Sequence, residues 1–291
     1  MDFKNLKEEA EKGGFPYEKM GRQLVWHDEF DKDFIDPEKW GFVHAMQTSD
    51  NEYDNSEKCA RIEDGKLHLQ LHKSDKEGML VTLPESVATM NTMNFKYGYL
   101  EMRSKIPFRH GAWPGYWMKS NTPFAKAPYM SEVDIYEVFS SKDTVVSNLH
   151  KWTIGKHVML PGGEGSYTRA YRFENFENLN NEFHTYGFEW DEKYMSFYVD
   201  GEKYAQYGIT EEDDFSPEEM PGMACFHDFH YVLFNNEAFT YGRDFKPYGC
   251  MLEESDPLPM DYWVEYIRLY QNPEKEEIVF ANEIDKAKAK K

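Results

Sequence analysis

The chain has 291 residues and a formal net charge of −20, from 53 acidic and 33 basic residues. That charge argues against nucleic acid and against an anionic membrane surface as partners, and no apolar run is long enough to span a bilayer. Hydrophobic residues make up 40% of the chain and aromatic residues 16%, enough for a substantial core; aromatic faces also stack on sugars, so their number decides nothing by itself.

In chain order, residues 1–12 are charged and helical in pattern, without the apolar stretch of a signal peptide. Either the protein stays in the cytoplasm or a leader is removed. The first twenty residues read as peripheral. The polar run Thr48-Ser49-Asp50-Asn51 leads into Glu52-Tyr53-Asp54-Asn55-Ser56-Glu57, which reads as a solvated loop. Asp64-Gly65 precedes the alternating Lys66-Leu67-His68-Leu69-Gln70-Leu71, and Asp200-Gly201 follows Tyr194-Met195-Ser196-Phe197-Tyr198-Val199; both pairs predict hairpin turns. Further strands are expected at 97–106, 115–118, 145–152, 183–190, 231–234 and 262–270. Residues 274–291, rich in Glu, Lys and Ala, read as a solvated helix or tail. With no repeat, no linker and no long amphipathic helix in the middle, residues 1–291 read as one all-β domain. Its core runs from about 22 to 272 and reads as a two-sheet sandwich. Cys59, Cys225 and Cys250 are widely spaced and odd in number, which fits reduced structural thiols rather than a disulfide framework or a zinc motif.

The most informative segment is Ser131-Glu132-Val133-Asp134-Ile135-Tyr136-Glu137-Val138-Phe139. Its β-branched and aromatic residues favour a strand, and ionised side chains on a buried strand are costly unless paired or used. Side chains alternate along a strand, so Glu132 and Asp134 share a face and Glu137 takes the other. One extra residue, a β-bulge, returns Glu137 to the first face. Two carboxyl groups so placed suit glycoside hydrolysis with retention, one attacking the sugar carbon and the other giving its proton to the leaving oxygen. A third between them helps separate their pKa values. This predicts Glu132 as nucleophile, Asp134 as assistant and Glu137 as acid/base. The spacing alone is weak evidence, since 53 acids in 291 residues produce it roughly once by chance. It recurs at Glu52, Asp54 and Glu57, where the polar context marks it as surface.

Several segments in order resemble glycoside hydrolase family 16. Leu24-Val25-Trp26-His27-Asp28-Glu29-Phe30-Asp31 with Trp40 resembles its opening motif, and Tyr97-Gly98-Tyr99-Leu100-Glu101-Met102-Arg103 the strand before its cleft. Trp113-Pro114-Gly115-Tyr116-Trp117-Met118 and the bulged signature at 131–137 follow. The series ends with Phe183-His184-Thr185-Tyr186-Gly187-Phe188-Glu189-Trp190, Phe197-Tyr198-Val199-Asp200-Gly201 and Asp261-Tyr262-Trp263-Val264-Glu265-Tyr266-Ile267-Arg268-Leu269-Tyr270-Gln271. The resemblance implies a β-jelly-roll of two curved antiparallel sheets with an open concave cleft, and endo-acting hydrolysis of a β-linked polysaccharide. It assigns Glu132, Asp134 and Glu137 the roles read from strand geometry. It also places Trp113 and Trp117 against sugar rings and His150 beside the acids. No cofactor is implied for catalysis. One structural calcium on the far side is implied at Glu29, the Gly65 carbonyl and Glu265, the last standing where the family usually has Asp. A monomer, secreted or periplasmic, is what relatives of this kind suggest. His227-Asp228-Phe229-His230 lacks a third ligand and reads as structure rather than a metal site.

A sugar-binding jelly-roll without turnover is the rival reading, but a binding module has no need of both outer carboxylates. The bulged signature also occurs in enzymes acting on agar, porphyran and carrageenan. The acidic charge favours a neutral glucan and hence an endo-β-1,3(4)-glucanase. Phe108-Arg109-His110-Gly111, Arg169 or Arg172 would serve an anionic substituent, though solvated loop charges are the plainer reading. Pro161-Gly162-Gly163-Glu164-Gly165 reads as a cleft rim or simply as a flexible loop.

Overall fold

The computed structural model describes residues 5–45, 51–121, 127, 129–153, 156–159, 169–175, 177–214, 216, 218, 220–240, 251–275 and 278–280. After helix α1 (Leu6–Gly13) come β1 (Glu18–Lys19), β2 (Arg22–Asp28), β3 (Gly41–Val43), β4 (Asn51–Tyr53), β5 (Ala60–Glu63), β6 (Lys66–Lys73) and β7 (Val81–Leu83). The next strands are β8 (Ser86–Ala88), β9 (Asn94–Phe95), β10 (Gly98–Lys105), β11 (Ala112–Ser120), β12 (Met130–Glu137), β13 (Thr144–Thr153), β14 (Lys156–Met159) and β15 (Arg169–Arg172). The chain closes with β16 (His184–Trp190), β17 (Tyr194–Val199), β18 (Glu202–Gly208), β19 (His230–Ala238), β20 (Met260–Gln271) and β21 (Ile278–Val279).

These strands form a jelly-roll sandwich of two sheets. One runs β18-β17-β16-β10-β20-β6-β7-β4, with β2 also on β20 and β5 on β6; the other runs β14-β13-β12-β11-β19-β8-β3. The pairs are antiparallel except β4 with β7. Both expected hairpins hold. Asp64 and Gly65 (φ 51° and 65°), like Asp200 and Gly201 (φ 49° and 83°), take the two left-handed conformations that a type I′ turn needs.

Alternation builds the core between the sheets. Leu100 and Met102 of β10, Phe188 and Trp190 of β16 and Ile267 and Leu269 of β20 face Tyr116 and Met118 of β11 and Val232 and Phe234 of β19. Burying each large apolar side chain is worth about 1.5–3 kcal/mol. Two of the core tyrosines satisfy each other's hydroxyls: Tyr136 and Tyr262 lie 2.6 Å apart, oxygen to oxygen, and Ser104 Oγ is 3.3 Å from Tyr136. Much of the aromatic content is therefore core. Trp26 packs edge-on to Trp40, whose Nε1 donates to Asp28 at 2.6 Å.

Several expectations are corrected. The N-terminal segment is not peripheral: Ala10 of α1, with Phe15 and Tyr17, packs on Leu24, Tyr99, Tyr198 and Tyr270, covering the outer face of the β10 sheet. Below them Glu101, nearly inaccessible, pairs with Lys19 and accepts from Tyr99 and Tyr266. The tail is not all helix or coil, since Ile278 and Val279 pair with Phe95 and Asn94. The segment at Glu52 is not all loop; β4 runs beside β7, and Glu52 accepts from Ser74 and Thr82. Strand β11 starts three residues before its expected start because Pro114, which has no N–H to give, still offers its carbonyl to Val138 at 3.1 Å. Among the described residues, no helix is long and apolar enough to cross a membrane.

Candidate active site

Strand β12 carries the bulge. Asp134 stands opposite Asn148 of β13 and Glu137 opposite Val146, so three steps on one strand match two on the other. The same shift appears against β11, where Tyr136 faces Tyr116 and Asp134 faces Trp117. Ile135 and Tyr136, adjacent in sequence, both enter the core with Val133 and Val138. Glu137 thereby joins Glu132 and Asp134 on the opposite face. Apolar demand from two successive residues is the physical cause of the bulge.

Register lays out the surrounding floor. Glu132 is flanked by His150 and Lys119, Asp134 by Asn148 and Trp117, and Glu137 by Val146 and Gly115. Beyond β11, strand β19 places Tyr231 beside Lys119, Leu233 beside Trp117, Asn235 beside Gly115 and Glu237 beside Trp113. Gly115 leaves the floor open between the two tryptophans: a Cβ there would lie 3.2 Å from Asn235 Oδ1 and 3.4 Å from Trp117 Cδ1.

Each acid has its own partners. Glu137 Oε1 accepts from Trp113 Nε1 at 2.8 Å and Oε2 from Asn148 Nδ2 at 3.0 Å. His150 Nε2 lies 2.7 Å from Asp134 Oδ2, and Lys119 Nζ lies 3.6 Å from Glu132 Oε2. Burial pushes Glu137 up to about 8, reinforced by the charge of Asp134 and opposed by His150, Trp113 and Asn148. Asp134 is driven well above the carboxylate range by burial and by the charge of Glu132. Burial also raises Glu132, with His150 and Lys119 pulling it back down. Three crowded carboxyls cannot all ionise, so the floor holds protons at neutral pH.

All six residues expected at the site converge here. Trp113 and Trp117 share a face of β11, but both are largely buried. Trp113 lies parallel to Phe239 at 4.6 Å, so one of its ring faces is covered. Trp117 Nε1 donates to Asn235 Oδ1 at 2.8 Å. Lys119, Asn148 and Asn235 were not singled out from the sequence. The parity that paired Trp113 with Trp117 also puts Lys119 on their face, and Asn148 stands two residues from His150.

The cationic residues expected near an anionic substituent each have a contact within the protein. Arg109 donates to the Pro257 carbonyl, His110 meets Asp256 at 2.8 Å, the largely exposed Arg172 pairs with Asp143, and the exposed Arg169 lies over the Tyr207 ring at 5.9 Å. The glycine run at 161–165 lies outside the described residues, as does Cys250; Cys59 and Cys225 are buried free thiols. The histidines at 227 and 230 diverge: His227 bonds Tyr97 and the Ile209 carbonyl, and His230 bonds Ser131 and the Asp228 carbonyl.

The calcium expectation does not fit the side chains present. Glu29 grips Arg268 with both oxygens, at 2.9 and 2.7 Å, and also meets His27. Glu265 pairs with Arg103. Both carboxylates are already neutralised by guanidinium groups, which would repel a divalent ion. Atoms of Glu132, Asp134 and His150 do lie within 4.8 Å of one another, but the Lys119 ammonium already supplies positive charge there, and we assign no metal to them.

Residues 48–226 match the model of glycosyl hydrolases family 16. Glucan endo-1,3-beta-glucosidase A1 of Niallia circulans is 23% identical over 280 residues, a match covering 86% of this chain and 38% of that protein's length. The laminarinase catalytic domain of Thermotoga maritima aligns with a TM-score of 0.68 and 27% identity, over 86% of this chain and 98% of its own. A structure from work on endo-acting O-glycanases, expressed by prominent members of the human gut microbiota to initiate mucin breakdown, gives 0.70 and 25%, over 93% and 96%. The family model's match across well over half of the chain places this protein in glycosyl hydrolases family 16.

Proposed function

We propose that the chain is an endo-acting, retaining glycoside hydrolase whose first substrate class is β-1,3(4)-glucan. The observation that carries the reading is the bulge, which puts Glu132, Asp134 and Glu137 on one face with separate partners for each. The likeness to a glucan endo-1,3-β-glucosidase and a laminarinase domain supports the glucan.

In the first step the ionised Glu132 carboxylate attacks the anomeric carbon. The bond to the glycosidic oxygen breaks, and that oxygen takes the proton of Glu137 as the leaving sugar departs. In the second step Glu137, now a carboxylate, removes a proton from water as the water oxygen attacks the same carbon. The ester bond to Glu132 breaks with its electron pair returning to the carboxylate, and the configuration is retained. Asp134, neutral and hydrogen-bonded to His150, keeps the charge between the outer acids low. No metal is needed for either step.

A second reading, a different β-linked glycan, is favoured by the O-glycanase likeness, which covers more of this chain than the laminarinase does. The deciding experiment measures reducing ends released from laminarin, mixed-linkage β-glucan, agarose, porphyran, carrageenan and mucin O-glycans by the wild type and by Glu132→Ala. Turnover of laminarin or mixed-linkage glucan that is lost in the variant supports the proposal. Faster release from a galactan or mucin would move the substrate class, and binding without turnover would leave a carbohydrate-binding module. Azide should rescue cleavage of an activated glycoside by Glu132→Ala with inversion, and by Glu137→Ala with retention.

A further inference from the structure

Among the described residues, β12 brings three carboxyl groups to the floor of the site and β11 brings one lysine, which is not placed evenly among them. Lys119 sits directly across the β11–β12 pairing from Glu132, with its ammonium 3.6 Å from Oε2. Its position is fixed from two further sides: the ammonium lies 4.7 Å from the ring centre of Trp152 and 5.9 Å from that of Trp117. Aromatic faces attract a cation and limit the wandering of a flexible side chain. Lys119 is about a quarter exposed and Glu132 about an eighth, so water screens the pair only in part.

The other groups facing Glu132 do not duplicate this role. Asp134 and Glu137, on its own strand, are acids that compete for the same protons. His150 of β13 also stands across from Glu132 and likewise draws its ionisation down, but its Nε2 is 2.7 Å from Asp134 and it acts on Glu137 as well, so it does not single out Glu132. Tyr231 of β19 is a neutral phenol whose ionisation is pushed up to about 12 by burial and by Glu132 itself. Without Lys119, the group left to favour ionised Glu132 would be His150, whose Nε2 is on Asp134.

We propose that Lys119 is a positioning residue that designates Glu132, rather than Asp134 or Glu137, as the ionised carboxylate of the resting site. Trp117 and Trp152 hold the ammonium where it can do so. The inference rests on the retaining reading above, in which Glu132 must enter the first step as an anion and Glu137 as an acid.

The test is a 13C titration of glutamate carboxyl carbons in the full chain, with signals assigned through Glu132→Gln and Glu137→Gln. Lys119→Met should raise the Glu132 midpoint by about one pH unit, the size expected on losing a partly screened opposite charge at this distance. Lys119→Arg should restore it. The acid limb of the kcat/KM profile should move with the midpoint while KM stays nearly constant. An unchanged Glu132 midpoint in a folded Lys119→Met protein overturns the proposal, as does a loss confined to KM on an anionic polysaccharide. The titration needs no substrate, so a failed hydrolase reading shows separately, as absent turnover in the wild type.

Discussion

Trp113 Nε1 donates to Glu137 Oε1 at 2.8 Å while its ring lies flat on Phe239, 3° from parallel. The indole is therefore held by packing and in turn holds the carboxyl expected to protonate the leaving oxygen. Asn148 holds the other oxygen at 3.0 Å. Both bonds favour the ionised form, against the burial that pushes Glu137 up to about 8.

Trp113→Phe keeps the stacking and removes the donor. It should lower kcat by roughly tenfold to a hundredfold, less than the roughly 10²–10⁴-fold that a positioned acid contributes, because Glu137 itself remains, with little change in KM. The basic limb of the pH profile should move upward because ionised Glu137 has lost support. Asn148→Ala should do the same through the other oxygen, and pH–rate profiles on the active polysaccharide check both.

Glu137→Gln should stabilise the fold, increasingly so as pH rises. The unfolded chain ionises this group near the ordinary glutamate value of 4.5 and the folded chain only at about 8. Between those values the folded state binds the extra proton. The stability tied to neutral Glu137 is thus full below about 4.5 and is lost as pH rises through 8. Glutamine has no proton to lose. Melting temperatures of the two proteins should agree near pH 4 and separate near pH 8, with the variant higher.

Lys151 is wholly buried on the core side of β13, where it binds Ser216 Oγ and the carbonyls of Met220 and Gly222, with Asp214 at 4.0 Å. Lys151→Ala would strip those carbonyls of their donor and leave a cavity. It should cost about 2–4 kcal/mol, read as a lower urea midpoint.

Chelation should leave the melting temperature unchanged, and added calcium should not raise it. Glu29 already shares both oxygens with Arg268, and Glu265 is paired with Arg103. Arg268→Ala should instead destabilise by about 1–3 kcal/mol, since a partly buried carboxylate loses a bidentate partner. A gain in melting temperature with calcium in the wild type would contradict the guanidinium assignment.

Much of this protein was legible in one dimension, for local reasons. Asp64-Gly65 and Asp200-Gly201 dictate their turns by backbone preference, and period-two alternation marks β6, β10 and β17 before any packing is known. The bulge was readable too, because Ile135-Tyr136 asks for two successive core positions while Glu132, Asp134 and Glu137 refuse them. What tertiary structure decided was who stands beside whom. The burial of α1 depends on an aromatic face made by strands far along the chain, around Tyr99, Tyr198 and Tyr270. The pairing of Glu29 with Arg268 and of Glu265 with Arg103, rather than with a shared metal, depends on strands 239 and 162 residues apart in sequence. Lys119 gains its meaning only when β11 pairs with β12 and β13 brings Trp152 over it. Side-chain alternation is local, so sequence carries it; electrostatic partnership acts through space at a few ångströms, and only the folded register sets those distances.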